Sequence, residues 1–118
     1  MGGGVYSSIL TNLRAHSMKN LIIATFIAAE GKLETLAGVL KESLPDTRAF
    51  DGCIELNVYQ EDGTNTFTIV EDWSSFEHYD KYLAWRTEGG LAELLEGLLE
   101  DGFPAGFKVQ KFVARREL

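Results

Sequence analysis

The sequence predicts an α+β domain, with an antiparallel sheet and helices packed on one face in the split βαβ order. Two observations carry this. Alternating apolar and polar residues run through 53–60, 66–73 and 107–115, and helical spacing of leucines and aromatics fills the intervals. A third is the first apolar stretch, "NLIIATFIAA" (20–29), which is apolar on both alternating faces and reads as a strand covered on both sides. The element order is therefore β-α-β-β-α-α-β.

Each element has its own signal. In 20–29 the residues Ile22, Ile23, Thr25 and Ile27 are β-branched. After Gly31, Leu33, Leu36, Ala37, Leu40 and Leu44 recur at helical spacing, with Lys32, Glu34, Lys41 and Glu42 opposite them. Pro45 is expected to end or kink that helix. In "CIELNVYQ" (53–60), Ile54, Leu56 and Val58 are expected on one face and Cys53, Glu55, Asn57 and Tyr59 on the other. "EDGTN" (61–65) contains an Asp-Gly hairpin signal, and "TFTIVEDW" (66–73) puts Phe67, Ile69, Glu71 and Trp73 on one face. Ser74 or Ser75 is expected to cap the next helix, with Glu77 completing a capping pattern with Ser74. Phe76, Tyr79 and Leu83 share a face of it. Gly89 and Gly90 interrupt, and Leu91, Leu94, Leu95, Leu98 and Leu99 form a further helix stopped by Gly102 and Pro104. "FKVQKFVAR" (107–115) is the last strand.

Composition excludes several function classes. The 118 residues suit one domain, and 45% hydrophobic with 25% charged is globular. Residues 1–18 are expected to be a flexible N-terminal extension and 19–118 the folded domain, with Met18 a candidate start. A net charge of -7 spread along the chain argues against nucleic acid. The longest apolar run is too short to span a bilayer, so no membrane partner is expected. A single cysteine, Cys53, precludes an internal disulfide, and with two histidines no metal site, Ser-His-Asp set or phosphate loop is expected. Cys53 reads as a buried inert thiol, His16 has no partner, and a reducing cytoplasm is the expected location. The apolar outward face of the first strand calls for cover, so a homodimer through the sheet is expected, with Asn57 and Tyr59 at its interface.

"LPDTRAFDGC", "FTIVEDW" and "SSFEHYDKYLAWR" together resemble the antibiotic biosynthesis monooxygenase, or quinol-monooxygenase-like, family across about residues 19 to 115. The resemblance implies a ferredoxin-like fold whose dimer forms an α/β barrel, with a ligand pocket between sheet and helices in each subunit. It further implies oxygenation of phenolic or quinol-type substrates by molecular oxygen without metal or flavin, although other members degrade haem or isomerise sugars. One departure is Tyr82, where many relatives carry a histidine nine residues after the strand-ending tryptophan. Haem degradation would lack its axial ligand. His78 lies one helical turn earlier. Trp73 and Tyr79 keep the spacing of the pocket-lining pair in polyketide-oxygenating members.

The candidate site follows from these residues. Trp73 at a strand end offers a flat apolar wall and one N–H, and would serve equally in a plain core. Glu71 on the same face is either an exposed strand-end carboxylate or a base of raised pKa. Arg86, beside Trp85, could stabilise a phenolate or peroxide anion or make a surface salt bridge. Arg48 is expected to clamp Asp46 or Asp51. The catalytic candidates are thus His78, Arg86 and Glu71, and the substrate-binding candidates Trp73, Tyr79, Tyr82, Phe76 and Leu83, with no cofactor. The expected function is a cofactor-independent monooxygenase acting on a small phenolic, quinol or polyketide-type substrate. A non-catalytic protein binding a small aromatic ligand, or a small-molecule isomerase, is the alternative.

Overall fold

The computed structural model describes residues 20–113 and 115–118. The extension expected at 1–18, with Met18 and His16, lies outside the described residues. Four strands form one antiparallel sheet: β1 (Leu21–Ile27), β2 (Cys53–Gln60), β3 (Thr66–Trp73) and β4 (Phe107–Phe112), in the order β2-β3-β1-β4. Three helices pack on one face: α1 (Leu33–Ala49), α2 (Phe76–Glu88) and α3 (Leu91–Leu95). This is the α+β, ferredoxin-like arrangement.

Alternation in the central strands sets the core. Ile22, Ala24 and Phe26 of β1 and Ile69 and Trp73 of β3 turn toward the helices and are buried. Leu36, Leu40 and Leu44 of α1 and Leu95 of α3 close over them. A second cluster joins Ile22 and Trp73 to Tyr79 of α2. Leu21, Ile23, Thr25 and Ile27 take the opposite face of β1 and are half-buried.

The turn at 61–65 forms the expected hairpin: Glu61 N–H donates to Thr66 O at 2.9 Å, and Gly63 supplies φ +73°.

The structure corrects five local expectations. First, Pro45 does not end α1, which runs on to Ala49. The turn beyond the proline is held from outside, because Thr47 is buried and bonded to α2, which offsets the missing backbone N–H. Second, a β-bulge between Cys53 and Glu55 places Cys53 opposite Trp73 and Glu55 opposite Asp72. The extra residue reverses the facing of this strand's first two side chains: Cys53 packs on the core and Ile54 is exposed. Third, α3 ends at Leu95 rather than continuing to Leu99. Glu96 is extended and Gly97 has φ +79°, after which Leu99 bridges Ala28 just past the end of β1. Fourth, β4 ends at Phe112 rather than at residue 115, and β1 spans 21–27 within the expected 20–29. Fifth, Ser75, one of the two expected caps of α2, accepts from His78 N–H on its Oγ at 3.1 Å, so the expected pairing of Glu77 with Ser74 gives way to one of Ser75 with His78.

Gly52 makes that junction possible. Its φ of +95° is left-handed, and a Cβ there would run into the His78 side chain. Its carbonyl accepts from Ser74 N–H at 2.7 Å, tying the entry of β2 to the entry of α2. Gly52→Ala is expected to cost about 1–3 kcal/mol in urea denaturation, and His78→Ala in the same background should recover little of it, because the His78 Cβ is itself among the atoms the new Cβ would meet.

Candidate functional site

Strand β3 brings Glu71 and Trp73 to the helix-facing side two residues apart. Glu71 pairs across the sheet with Ile22 on one side and Leu56 on the other, so apolar neighbours flank it in both directions. It is 4% exposed. Trp73 Nε1–H donates to Glu71 Oε1 at 2.8 Å, and Oε2 has no hydrogen-bond partner among the described residues. Burial pushes the carboxyl up to about 7, against the smaller opposing effect of the indole N–H.

A cavity of about 250 Å³ lies between this carboxylate and the helices. Leu40 and Leu44 of α1, Ile69 of β3 and Leu91 and Leu95 of α3 give it apolar walls. Tyr79, Tyr82, Leu83 and Arg86 border it from α2. Tyr79 is buried, and its hydroxyl is held well above the ordinary phenol range by burial and then by the Glu71 carboxylate. It therefore stays a proton donor near Glu71.

A polar network closes the other end. Arg86 Nη2 donates to Ser43 O at 2.6 Å and to Thr47 Oγ1 at 2.9 Å, while Nε donates to Tyr82 OH at 3.0 Å. Thr47 Oγ1 and Tyr82 OH share a further hydrogen bond at 2.8 Å. The guanidinium lies 4.7 Å from the Trp85 ring centre.

The cavity thus gathers Glu71, Tyr79, Tyr82, Leu83 and Arg86. Trp73 stands behind it, fully buried, with its ring centre 5.3 Å from that of Tyr82 and 5.5 Å from that of Tyr79. It touches the site through Glu71 rather than as a wall. Phe76 packs on the Trp73 cluster under the Lys111 ammonium, also outside the cavity. His78 is elsewhere too: Nδ1 bonds Ser75 Oγ at 2.7 Å, and Nε2 lies 3.6 Å from Asp51. A Ser-His-Asp row therefore does exist, against expectation. Its serine caps a helix and its aspartate side chain is 94% exposed, so it clasps the start of α2. Arg48 donates to Leu56 O at 3.3 Å instead of pairing with Asp46 or Asp51. Burial pushes the Cys53 thiol up to about 11, as befits an inert side chain. Two participants escaped the sequence reading, Ser43 and Thr47. Thr47 continues the Leu36–Leu40–Leu44 face of α1, and a polar residue on that face was the available signal.

The profile of the antibiotic biosynthesis monooxygenase family matches residues 21–87, more than half of the 118-residue chain. The chain belongs to the antibiotic biosynthesis monooxygenase family. Among solved structures, a protein from Shewanella oneidensis is 26% identical, with a TM-score of 0.67 over 81% of this chain and 90% of that one. SnoaB, a cofactor-independent oxygenase from Streptomyces nogalater, is 17% identical, with a TM-score of 0.67 over 86% of this chain and 97% of that one. A monooxygenase from the gene ActVA-Orf6 of Streptomyces coelicolor, solved with the ligand nanaomycin D, is 15% identical, with a TM-score of 0.65 over 86% and 92%. At those last two identities the likeness is one of fold. Comparison with curated sequences gives no match. No helix among the described residues of this family member is long and apolar enough to cross a membrane, and no group of three or more potential metal ligands occurs among them.

The buried carboxyl makes stability depend on pH. The Glu71 pKa is about 7 in the folded chain against an ordinary 4.5, so the folded state binds its proton more tightly. This contribution is fully present below 4.5 and is lost as the pH rises through 7. Chemical denaturation should show wild type losing about 3 kcal/mol relative to Glu71→Gln across that window. Trp73→Phe, which removes the N–H that favours the charged form, should move the carboxyl pKa further up when read by carboxyl-carbon NMR.

Proposed function

We propose that the protein is a cofactor-independent monooxygenase that oxidises a small phenolic, quinol or polyketide-type aromatic with molecular oxygen, with Glu71 as proton acceptor. The observation that carries this reading is the buried Glu71 carboxylate, one oxygen held by Trp73 and the other unbonded beside an apolar cavity. A group titrating near neutrality is suited to accept a phenolic proton. Family membership and the fold shared with two oxygenases, one of them described as cofactor-independent, support the same class of reaction.

The chemistry balances without a reductant. Glu71 takes the substrate hydroxyl proton, and the electron-rich phenolate carbon gives electrons to dioxygen and bonds to it. The Tyr79 hydroxyl can donate a hydrogen bond to the oxygen bearing the developing charge. Cleavage of the O–O bond leaves one oxygen on the ring as a quinone carbonyl and releases the other as water. The substrate supplies all four electrons. His78, engaged with Ser75 and Asp51, is not needed for any step.

Oxygen uptake with a panel of hydroquinones and naphthols tests the reading. Turnover should rise with pH through an apparent pKa near 7, the value of Glu71. Glu71→Gln should lower kcat by roughly 10²–10⁴-fold, and prior chelation should leave it unchanged. Tight binding of every probe with no oxygen consumed would instead identify a binding protein.

The second part of the proposal is a homodimer through the outward sheet face. Half-buried Leu21, Ile23 and Ile27 together with exposed Tyr59 and Phe112 support it. Light scattering at micromolar concentration should give twice the monomer mass, and Ile23→Lys should shift it toward the monomer.

A further inference from the structure

Arg86 is the one cationic side chain among the residues lining the cavity. It forms no ion pair among the described residues, since those present there join His78 to Asp51, Lys111 to Asp80 and Arg115 to Glu117. Its three protein hydrogen bonds use Nε and Nη2 and end on neutral acceptors: a carbonyl, a threonine hydroxyl and a tyrosine hydroxyl. The second terminal nitrogen, Nη1, donates to nothing among the described residues. Asp46 also borders the cavity but is exposed and not paired with Arg86. The guanidinium is thus fixed by neutral partners while its charge and two N–H donors remain uncommitted.

Its place relative to Glu71 adds a length. Tyr79 neighbours Glu71, and Arg86 is seven residues farther along α2, about 10 Å along the axis. Tyr82 lies between them, touching Tyr79 and Trp73 on one side and Arg86 on the other. The apolar space in between, about 250 Å³, exceeds the roughly 150 Å³ that accommodates a benzene ring. A two-ring aromatic substituted at both ends fits that description.

From this geometry we infer that Arg86 is a specificity-determining residue that anchors a carboxylate on the aromatic substrate, at the end of the cavity opposite the hydroxyl facing Glu71. The inference rests on the reading of the cavity as an aromatic substrate site and adds the charge class of the substrate. A planar fork with fixed neighbours suits a carboxylate better than an ammonium would. The net charge of -7 gives no long-range attraction for an anion, so selection falls to this local contact.

Calorimetric titration with three probes tests it: 6-hydroxy-2-naphthoate, 6-hydroxy-2-naphthamide and 2-naphthol. In the wild type the naphthoate should bind about tenfold or more tightly than the amide. In Arg86→Met that ratio should fall to about one while 2-naphthol affinity changes little. Equal binding of naphthoate and amide to wild type would overturn the anchor and leave the aromatic cavity standing. Failure of all three to bind would overturn both. A ratio that survives Arg86→Met would overturn it too, since another group would then hold the anion. Arg86 also joins α1 to α2, so the variant is first checked by thermal unfolding. Should it not fold, the side-chain nitrogen NMR signals of Arg86 in wild type serve instead. They should shift with the naphthoate and not with the amide, and identical responses would refute the assignment.

Discussion

The hydrogen bond from Trp73 to Glu71 is the contact on which the site depends. Both residues face the helices because β3 alternates, and the pairing register sets Glu71 between Ile22 and Leu56. A carboxylate in that position loses its water without gaining a cation, which costs several kcal/mol when it is charged. The indole N–H at 2.8 Å offsets part of that cost and fixes the carboxylate's orientation. Burial wins, and the group titrates near 7. Had an arginine stood beside it, the same carboxyl would remain charged at neutral pH and be a poor proton acceptor.

The other charged group of the cavity is handled in the opposite way. Arg86 is held at the far end by Ser43, Thr47, Tyr82 and the face of Trp85, all neutral. That network also explains why α1 survives Pro45. The lost backbone bond is replaced by tertiary bonds to the turn beyond it, so a residue that usually ends helices sits inside one. Two of the three bonds that orient the guanidinium, those to Ser43 and Thr47, therefore stitch α1 to α2. Site and scaffold share these atoms, and the cavity cannot be reshaped at this end without loosening a helix pair.

Periodicity made the fold legible. The doubly apolar first strand, the Asp-Gly hairpin and the leucine spacing of α1 each have a local physical cause, and each stands where the pattern put it. The misplaced details came from tertiary effects. A bulge adds one residue that alternation does not reveal, so Cys53 and Ile54 exchange faces. Leu98 and Leu99 keep helical spacing, yet the positive φ of Gly97 and the bridge to Ala28 draw them into an extended segment that prolongs the pairing of β1. At the site, proximity in sequence misled. Trp73, Phe76 and His78 flank the cavity residues along the chain, but a strand end followed by a helix start sends neighbours in different directions. Thr47 and Ser43 were missed because their roles arise from Arg86, which is distant in sequence.

A structural role alone does not account for Glu71. A carboxylate kept for architecture would have both oxygens satisfied, because each buried unpaired lone pair lowers stability. Here one oxygen is held and the other is left to the cavity. Glutamine would fill the same volume, accept from the same indole and carry no ionisation penalty, so the acid is the costlier choice at neutral pH. A costly group oriented by one dedicated donor, with the Tyr79 phenol beside it and an apolar cavity in front, fits the proposed role of proton acceptor. In the proposed reaction Trp73 is a positioning residue: its size completes the core, while its single N–H holds one of the two carboxylate oxygens. That division explains why the strand ends on tryptophan rather than on phenylalanine. Phenylalanine could pack in much the same place, but it has no N–H to hold the carboxylate.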